Sequence, residues 1–407
     1  MEYNAVSFAI IVLNFTERLF MDKIFVTRSS MPSLEEYTKE IAPIFENHWL
    51  TNAGVKHEEL TEKLKEYMGV NGLSLVVNGH EALELALQDM NLPAGGEIIT
   101  TPYTFHSTTH AIVRSGFKPV FCDIDPVTCT MDVDQIEKLI TDKTVAIVPV
   151  HVYGNVCNDA AIRDIADRHG LKVMYDAAHT FGEKVGCDAS GRPLVGQAGG
   201  EDVSWRGVAT LGDVSCFSFH ATKVFHTIEG GAVCSSDTAF TDRIAILRDF
   251  GIVDSEKVTD ISPNAKMNEF AAAMGLCNLR HLEGEIEKRR RVAERYREGL
   301  SDVKGIRLNP VQEHVQSNYA YFPIFVEKDS YGEGRGDLFK RLAKHNIFAR
   351  KYFYPMVTEL DCYKADYDAD ATPVAKRLSY EVLTIPMFAD LSAEDQDRII
   401  SVIRKEA

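Results

Sequence analysis

Strand-like and helix-like stretches alternate through the middle of the chain, from about residue 73 to residue 235. The strand-like stretches are apolar and lie at 73–77, 98–100, 119–123, 144–150, 171–176 and 214–219. Windows between them, at 135–140 and 160–168, carry apolar residues at helical spacing. Because parallel strands are joined by helices that cover both faces of their sheet, this alternation predicts an α/β fold with a mainly parallel sheet between helices.

The chain is long enough for one large and one smaller domain. Its 407 residues are 45% hydrophobic and 26% charged, which excludes disordered and fibrous classes. A highly charged helical window at 279–300 precedes a C-terminal part with a strand-like stretch at 319–326, an amphipathic stretch at 337–345 and a final helix near 393–405. We therefore expect an N-terminal extension at 1–20, a large domain at 21–280 and a small α+β domain at 281–407.

Charge and cysteine pattern restrict the partners and the compartment. A formal net charge of −16 repels nucleic acid and anionic membranes, so neither is expected as a partner. The apolar run at 5–13 is far shorter than the roughly 20 residues of a spanning helix, and no basic residue precedes it as in a secretory signal. Eight scattered cysteines without a CxxC pair predict reduced thiols and a cytoplasmic protein.

A lysine and an aspartate follow two of the predicted strands. Lys223 ends Ser218-Phe-His-Ala-Thr-Lys223, and Asp176 belongs to Tyr175-Asp-Ala-Ala-His179. Sites in open parallel sheets lie beyond the carboxyl ends of strands, so both side chains are expected at one edge. Alone, Lys223 also fits a surface lysine and Asp176 a turn cap. Together they predict a pyridoxal phosphate site, in which the lysine amine bonds to the cofactor and the acid keeps the pyridine nitrogen protonated.

Other residues match the remaining contacts that this cofactor needs. The turn after the first strand places the backbone amides of Gly79 and His80 at a helix N-terminus, where phosphate binds well. Ser218 adds a hydroxyl to the same phosphate site. Phe105 is a candidate to lie on the cofactor ring, with core packing as its alternative. His179 is a candidate donor to the ring oxygen, with a backbone-bonded buried histidine as its alternative.

Two further patterns resemble ligand sites without completing them. His106 and His110 stand four apart on a predicted helix, but Ser107 replaces the glutamate of HExxH and no third ligand is evident. No metal site is therefore expected. The glycine-rich run at 332–336 lacks the lysine and hydroxyl residue of a P-loop, so we predict a turn there.

These motifs together resemble the sugar aminotransferases of the DegT/DnrJ/EryC1/StrS family, which have the aspartate aminotransferase (type I) fold. The resemblance runs from about Trp49 onward. Its matching segments are Trp49-Leu-Thr-Asn52, Asn78-Gly79, Thr104-Phe105, Asp176-Ala-Ala-His179, Ser218-Phe-His-Ala-Thr-Lys223, Glu229-Gly-Gly231, Asn264 and residues 350–355. The resemblance implies that Lys223 carries the cofactor and moves protons, Asp176 contacts the pyridine nitrogen, His179 lies near the ring oxygen and Phe105 stacks on the ring.

The same resemblance assigns the phosphate contacts and the assembly. Gly79, His80 and Ser218 would hold the phosphate, although His80 stands where the family usually has threonine or serine. Asn264 matches an asparagine that reaches the phosphate of the partner subunit, which implies an obligate homodimer with shared sites. His220 is a candidate for substrate binding, with a packed supporting role equally open. Residues 186–212 form a longer segment than usual, with Trp205-Arg206 expected in a loop near the substrate entrance.

The resemblance also implies a reaction. L-glutamate would give its amino group to the cofactor, forming pyridoxamine phosphate (PMP) and 2-oxoglutarate, and PMP would aminate a nucleotide-linked keto sugar. The motif around Lys223 looks more like enzymes that aminate C4 of a 4-keto-6-deoxy sugar, closest to those making dTDP-4-amino-4,6-dideoxyglucose for O-antigen or other glycans. Three alternatives remain: a C3 sugar aminotransferase, a PMP-dependent sugar dehydratase, which carries histidine in place of this lysine, and a non-catalytic ligand-sensing regulator.

Overall fold

The computed structural model describes residues 23–197 and 203–406. The predicted N-terminal extension at 1–20 lies outside the described residues. The described strands are, in chain order, β1 (Ile24–Phe25), β2 (Gly72–Val76), β3 (Glu97–Thr100), β4 (Lys118–Phe121), β5 (Thr144–Ile147), β6 (Lys172–Asp176), β7 (Lys184–Cys187), β8 (Ser204–Gly207), β9 (Val214–Ser218), β10 (Gly231–Ser235), β11 (Ile252–Asp254), β12 (Lys257–Val258), β13 (Ile306–Leu308), β14 (Val315–Gln316), β15 (Phe322–Val326), β16 (Ile347–Phe348) and β17 (Val382–Ile385).

The α-helices lie between these strands and at the end of the chain. They are α1 (Leu34–Asn47), α2 (Val55–Met68), α3 (Gly79–Asp89), α4 (Ser107–Arg114), α5 (Val133–Leu139), α6 (Asp159–His169), α7 (Thr238–Leu247), α8 (Glu269–Leu300), α9 (Lys328–Tyr331), α10 (Arg335–Lys344), α11 (Pro373–Glu381) and α12 (Ala393–Arg404). Among the described residues, none of these helices combines the length and the apolar character needed to cross a bilayer.

A central sheet of seven strands organises the larger part of the molecule. Its strand order is β2-β10-β9-β6-β5-β3-β4. The pairs from β9 to β4 are parallel, and β10 runs antiparallel to β2 and β9. All six strands expected in this region are present, and the mainly parallel sheet is confirmed. Helices α3, α4 and α7 pack on one face, while α5 and α6 pack on the other, so both faces are buried.

A second core lies in the C-terminal part. Strands β13, β15 and β17 form an antiparallel sheet whose apolar side chains pack with the end of α8, α10 and α12. The first described strand joins this core, because β1 pairs in parallel with β16 and Ile24 is buried there. Helix α8 begins at Glu269, ten residues before the expected charged window, and Asn268 caps it by accepting from the Ala271 amide. The expected division between 280 and 281 therefore falls inside one continuous helix.

The segment that is longer than usual forms a small sheet. Strand β7 pairs antiparallel with β8 on one side and β14 on the other. Trp205 and Arg206 lie in β8, so the expectation of a loop there was wrong. Arg206 Nη2 lies 4.0 Å from Asp159 Oδ2, a contact between this sheet and the start of α6.

Candidate active site

A cavity of about 470 Å³ opens beyond the carboxyl ends of β6 and β9. This is the edge where open parallel sheets place their ligands. The predicted site residues that line it are Gly79, His80, Phe105, Asp176, His179, Ser218, His220 and Lys223. Asn264 does not line the cavity and is exposed at the surface of this single chain. The structure thus brings together eight of the nine residues, from segments that are distant in sequence.

The phosphate-binding candidates meet where α3 begins. Asn78 caps the helix by accepting from the Glu81 amide at 2.9 Å, and the first-turn amides of a helix attract anions. A Cβ built on Gly79 would lie 2.7 Å from the Ser218 Cβ. Only glycine therefore lets the start of this helix approach the end of β9 so closely, which brings the Ser218 hydroxyl to the same wall of the cavity.

The two glycines after Glu229 close the loop that carries the lysine. A Cβ on Gly230 would lie 1.9 Å from Thr227 Oγ1, and one on Gly231 would lie 2.6 Å from the backbone carbon of Asn78. The loop is fastened by hydrogen bonds from the Phe219 amide to the Gly230 carbonyl and from the Thr227 amide to the Phe219 carbonyl. The two glycines of the Glu-Gly-Gly motif are thus required for the loop to pack closely beside the start of α3.

Asp176 is a buried carboxylate at the end of β6. Thr108 Oγ1 donates to its Oδ2 at 2.7 Å, and the Ala178 amide donates to its Oδ1 at 3.1 Å. Burial raises the pKa of this carboxyl above its usual value, while these two donors and the Lys223 charge oppose the rise. A cationic partner inside the cavity would stabilise the ionised form of this carboxyl group.

His179 is fixed as a neutral imidazole with a defined tautomer. Its Nδ1 accepts from the Tyr153 amide at 3.0 Å, so its hydrogen is on Nε2. Burial and the nearby Lys223 charge hold the pKa of His179 well below the ordinary range. Its ring stands edge-on to Tyr321 and parallel to Phe353, with centroid distances of 4.7 and 6.1 Å. The histidine is therefore a hydrogen-bond donor with little freedom to turn.

Lys223 and His220 share the loop after β9. The Lys223 Nζ lies 5.9 Å from the centroid of the Tyr321 ring. His220 Nδ1 accepts from the Thr222 amide at 3.3 Å, and its Nε2 lies 3.5 Å from Glu229 Oε1. The half-buried lysine is therefore directed to the cavity between an aromatic side chain and a polar loop.

Phe105 and His80 bound the cavity on the side of α3 and α4. Phe105 is 52% exposed, so its ring is open to a ligand, and the His106 ring packs beside it at 4.0 Å between centroids. Farther along α4, the His110 ring lies 4.8 Å from that of His106. Among the described residues, no three His, Cys, Asp or Glu side chains are arranged to hold a metal.

The sequence did not reveal one residue that supports Asp176 or several aromatic residues that line the cavity. Thr108 holds Asp176 from a helix 68 residues away, and no local pattern marks it. Tyr321 lies just before β15 in a stretch expected only to form a strand. Tyr352 and Phe353 were recognised only as part of the resembling segment 350–355. The only sequence feature that could have indicated the last three residues is their aromatic character at the ends of these segments.

Glu183 supports the His179 turn and supplies a test of pH dependence. Its buried Oε1 accepts from the Asn318 amide at 3.1 Å and from Ser317 Oγ at 3.2 Å, and Asn318 Nδ2 donates to the His179 carbonyl. Burial raises the pKa of Glu183 from 4.5 to about 8. The folded state then keeps a proton that the unfolded chain releases, so stability falls as pH rises from about 4.5 to 8.

We expect Glu183→Gln to flatten that pH dependence, because the amide keeps an acceptor oxygen and cannot ionise. The loss in the wild type is at most about 1.4 kcal/mol per pH unit. Urea unfolding between pH 5.5 and 8.5 measures the difference, with exposed Glu313→Gln as the control. Parallel curves for wild type and Glu183→Gln would show that Glu183 does not bind this proton.

The residues at the cavity fit pyridoxal phosphate. Among the described residues, no cationic group forms a hydrogen bond with Asp176. A protonated pyridine nitrogen would supply that cationic partner. A helix N-terminus beside the Ser218 hydroxyl suits the phosphate, and Lys223 supplies the amine. The cavity volume of about 470 Å³ lies in the ordinary range for cofactor sites.

Comparison with known proteins decides the family. Residues 33–404 match the model of the DegT/DnrJ/EryC1/StrS aminotransferase family. This chain belongs to that family. The predicted fold and the predicted enzyme class, an aminotransferase, are therefore confirmed. DegT/DnrJ/EryC1/StrS aminotransferases depend on pyridoxal phosphate, so the predicted cofactor is confirmed as well.

Curated members and one solved structure of the DegT/DnrJ/EryC1/StrS family are similar over nearly the whole chain. A dTDP-4-amino-4,6-dideoxy-D-glucose transaminase of Shigella dysenteriae is 41% identical over 94% of this chain and 98% of its own length. The Escherichia coli enzyme of the same name is 40% identical over 91% and 95%. The crystal structure of DesI in the presence of its TDP-sugar product superposes with a TM-score of 0.85 at 31% identity, covering 95% and 93% of the two chains.

Proposed function

We propose that this enzyme transfers the amino group of L-glutamate to C4 of a nucleotide-linked 4-keto-6-deoxy sugar, namely dTDP-4-keto-6-deoxyglucose. One observation carries the proposal: 41% identity over 94% of the chain to a transaminase named for dTDP-4-amino-4,6-dideoxy-D-glucose. The eight predicted side chains and backbone groups that meet at the cavity support a catalytic role. The presence of Lys223 disfavours the dehydratase alternative.

The side chains around the cavity have separate tasks in this proposal. Bound pyridoxal phosphate supplies an electron sink that makes the carbon bearing the transferred amine acidic, and it carries the amino group between the two substrates. Lys223 Nζ would hold the cofactor through a covalent bond and, once the amine of the donor displaces it from that bond, would take up and return the proton at that carbon. Asp176 would accept from the pyridine nitrogen and stabilise its positive charge. His179 would donate its Nε2 hydrogen to the ring oxygen, and Phe105 would cover one face of the ring.

The phosphate and the substrate engage the remaining residues. The amides of Gly79 and His80 and the hydroxyl of Ser218 bind the phosphate at the start of α3. His220 contacts one of the substrates from the mouth of the cavity, where Glu229 holds its imidazole. This chain therefore contributes backbone amides and a hydroxyl group to the proposed phosphate site.

We further propose an obligate homodimer in which Asn264 completes the phosphate site of the partner. Its exposure outside the cavity of its own chain supports this arrangement. Large apolar side chains that a soluble monomer would bury are exposed on the described surface, among them Phe45, Trp49, Leu50 and Ile261. Burying them against a second copy removes an unfavourable apolar surface.

The free cysteines and the nucleotide-linked product support a cytoplasmic location and a biosynthetic pathway for this enzyme. All eight cysteines are free thiols, seven of them buried, which supports a reducing cytoplasm. An amino sugar that stays linked to its nucleotide remains activated for a glycosyltransferase. We therefore place the product on a route to a surface glycan such as an O antigen.

The test is the nitrogen position in the product. The enzyme is mixed with ¹⁵N-glutamate and either the 4-keto or the 3-keto isomer of the dTDP-6-deoxy sugar. We expect the label at C4 of the product from the 4-keto sugar, identified by mass and by NMR. Label at C3 would favour the C3 aminotransferase. A deoxygenated product without label would favour the dehydratase, and binding of the sugar nucleotide without turnover would favour the regulator.

A further inference from the structure

His80 has a partner on each ring nitrogen at the phosphate end of the cavity. Its Nδ1 lies 2.8 Å from Ser107 Oγ, and its Nε2 lies 2.8 Å from Glu84 Oε1. Arg114 donates to the same Glu84 oxygen. Ser107 and His80 both line the cavity beside Gly79. A carboxylate, an imidazole and a hydroxyl thus form one hydrogen-bonded chain that ends at the proposed phosphate site.

The direction of this chain depends on one proton. An ionised carboxylate only accepts, so the His80 Nε2 bound to Glu84 carries a hydrogen. In a neutral imidazole, Nδ1 then accepts and the Ser107 hydroxyl must donate to it. In a charged imidazole, Nδ1 donates to Ser107 Oγ, and the hydroxyl hydrogen is released to point elsewhere. Only the charged form offers an anion both a positive charge and a free hydroxyl donor.

We propose that the cofactor phosphate binds together with one proton, which His80 takes up, and that Ser107 thereby becomes a phosphate donor. Glu84 is a positioning residue, because it orients the imidazole and balances its new charge. The inference rests on the proposed function, which puts the phosphate at Gly79, and adds Ser107, Glu84 and a linked proton to it.

The surroundings favour His80 as the group that takes up the proton. The titratable and charged groups near it are Glu81, Glu84, His106, His110 and Arg114, and Asp176 and Lys223 line the same cavity. Burial and neighbouring positive charge hold the pKa values of His106 and His110 below the ordinary range. The carboxylate in direct contact with a histidine ring here is that of Glu84.

The test measures protons and affinity rather than turnover. Cofactor-free enzyme is titrated with pyridoxamine phosphate by calorimetry at pH 7.5, in two buffers of different ionisation enthalpy. We expect wild type to take up close to one proton more than His80→Thr, in which a hydroxyl replaces the imidazole. Pyridoxamine, which lacks the phosphate, should show no such difference. Across pH 7–9 the affinity of wild type relative to the variant should fall by up to about tenfold per pH unit.

A second variant separates the hydroxyl from the imidazole. Ser107→Ala should weaken pyridoxamine phosphate binding by about tenfold or more, because a hydrogen bond to a charged phosphate is lost, and should leave pyridoxamine binding unchanged. Ser115→Ala, at the other end of α4, is the matched control and should bind both ligands as wild type does. Circular dichroism checks that each variant is folded.

The outcomes distinguish this inference from the proposed function. Failure of wild type to bind either pyridoxal phosphate or pyridoxamine phosphate would overturn both. Binding with equal proton uptake in wild type and His80→Thr would overturn the proton linkage alone. Unchanged phosphate affinity in Ser107→Ala would remove Ser107 from the site.

Discussion

Lys223→Ala is expected to lower kcat by more than about 10⁴-fold, the largest effect of any single substitution in this chain. The variant loses both the amine that bonds to the cofactor and the base that moves the proton, and no other lysine lines the described cavity. Arginine at this position should fail equally, because it keeps the charge but cannot form the bond. Product formation under single-turnover conditions, with excess enzyme, measures the residual rate.

Absorbance and chemical trapping provide a readout independent of turnover. Wild type loaded with pyridoxal phosphate should show the visible band of a lysine-bound cofactor and lose it on adding glutamate. Borohydride reduction should fix the cofactor to the peptide that contains Lys223. Lys172→Ala, at the opposite end of β6, is the control and should retain band and turnover. Full turnover by Lys223→Ala would refute the assignment.

Asp176→Asn should lower kcat by roughly 10²–10³-fold, which corresponds to about 3–4 kcal/mol for the loss of a buried charged partner. The amide keeps the size of the side chain and an oxygen for Thr108, but it cannot stabilise a protonated pyridine nitrogen. The effect should appear in kcat for both half-reactions, because both need the same electron sink. Stopped-flow absorbance with glutamate alone and with keto sugar alone measures them separately.

A nearby carboxylate separates this chemical role from a loss of packing. Asp159 is also buried, and it accepts from the Tyr175 hydroxyl at 3.0 Å beside β6, away from the cavity lining. Asp159→Asn should therefore change thermal stability with little effect on kcat. If both asparagine variants lose stability and activity in parallel, Asp176 serves the fold rather than the reaction.

The six expected strands were predictable because they are mostly apolar runs, and all of them except β4 are largely buried. The start of α8 was not, since residues 269–278 are nearly all buried and small side chains at 271–273 leave no polar face to mark a helical period. Strand β8 escaped detection for the opposite reason: it is short and its residues are exposed or half-buried. Neither element therefore shows a repeating pattern of buried and exposed residues in the sequence.

The candidate site divides along a similar line. Lys223, Asp176 and Gly79 were found because they lie at strand ends or a few residues beyond them, and the sheet brings such ends together. The contacts of Thr108 with Asp176 and of Ser107 with His80 join residues 68 and 27 positions apart. They depend on where α4 packs against the sheet edge, and no spacing in the sequence records that.

The pairing of β1 with β16 has a consequence for the synthesis of this protein. Ile24 leaves the ribosome early, but its neighbours in the C-terminal core, including Ile347 and Leu383, are made near the end. The large sheet can assemble during translation, while β1 remains unpaired until β16 has been synthesised. The C-terminal core can therefore be completed only after its last elements have been synthesised, and a chain terminated before β16 leaves β1 without its pairing partner.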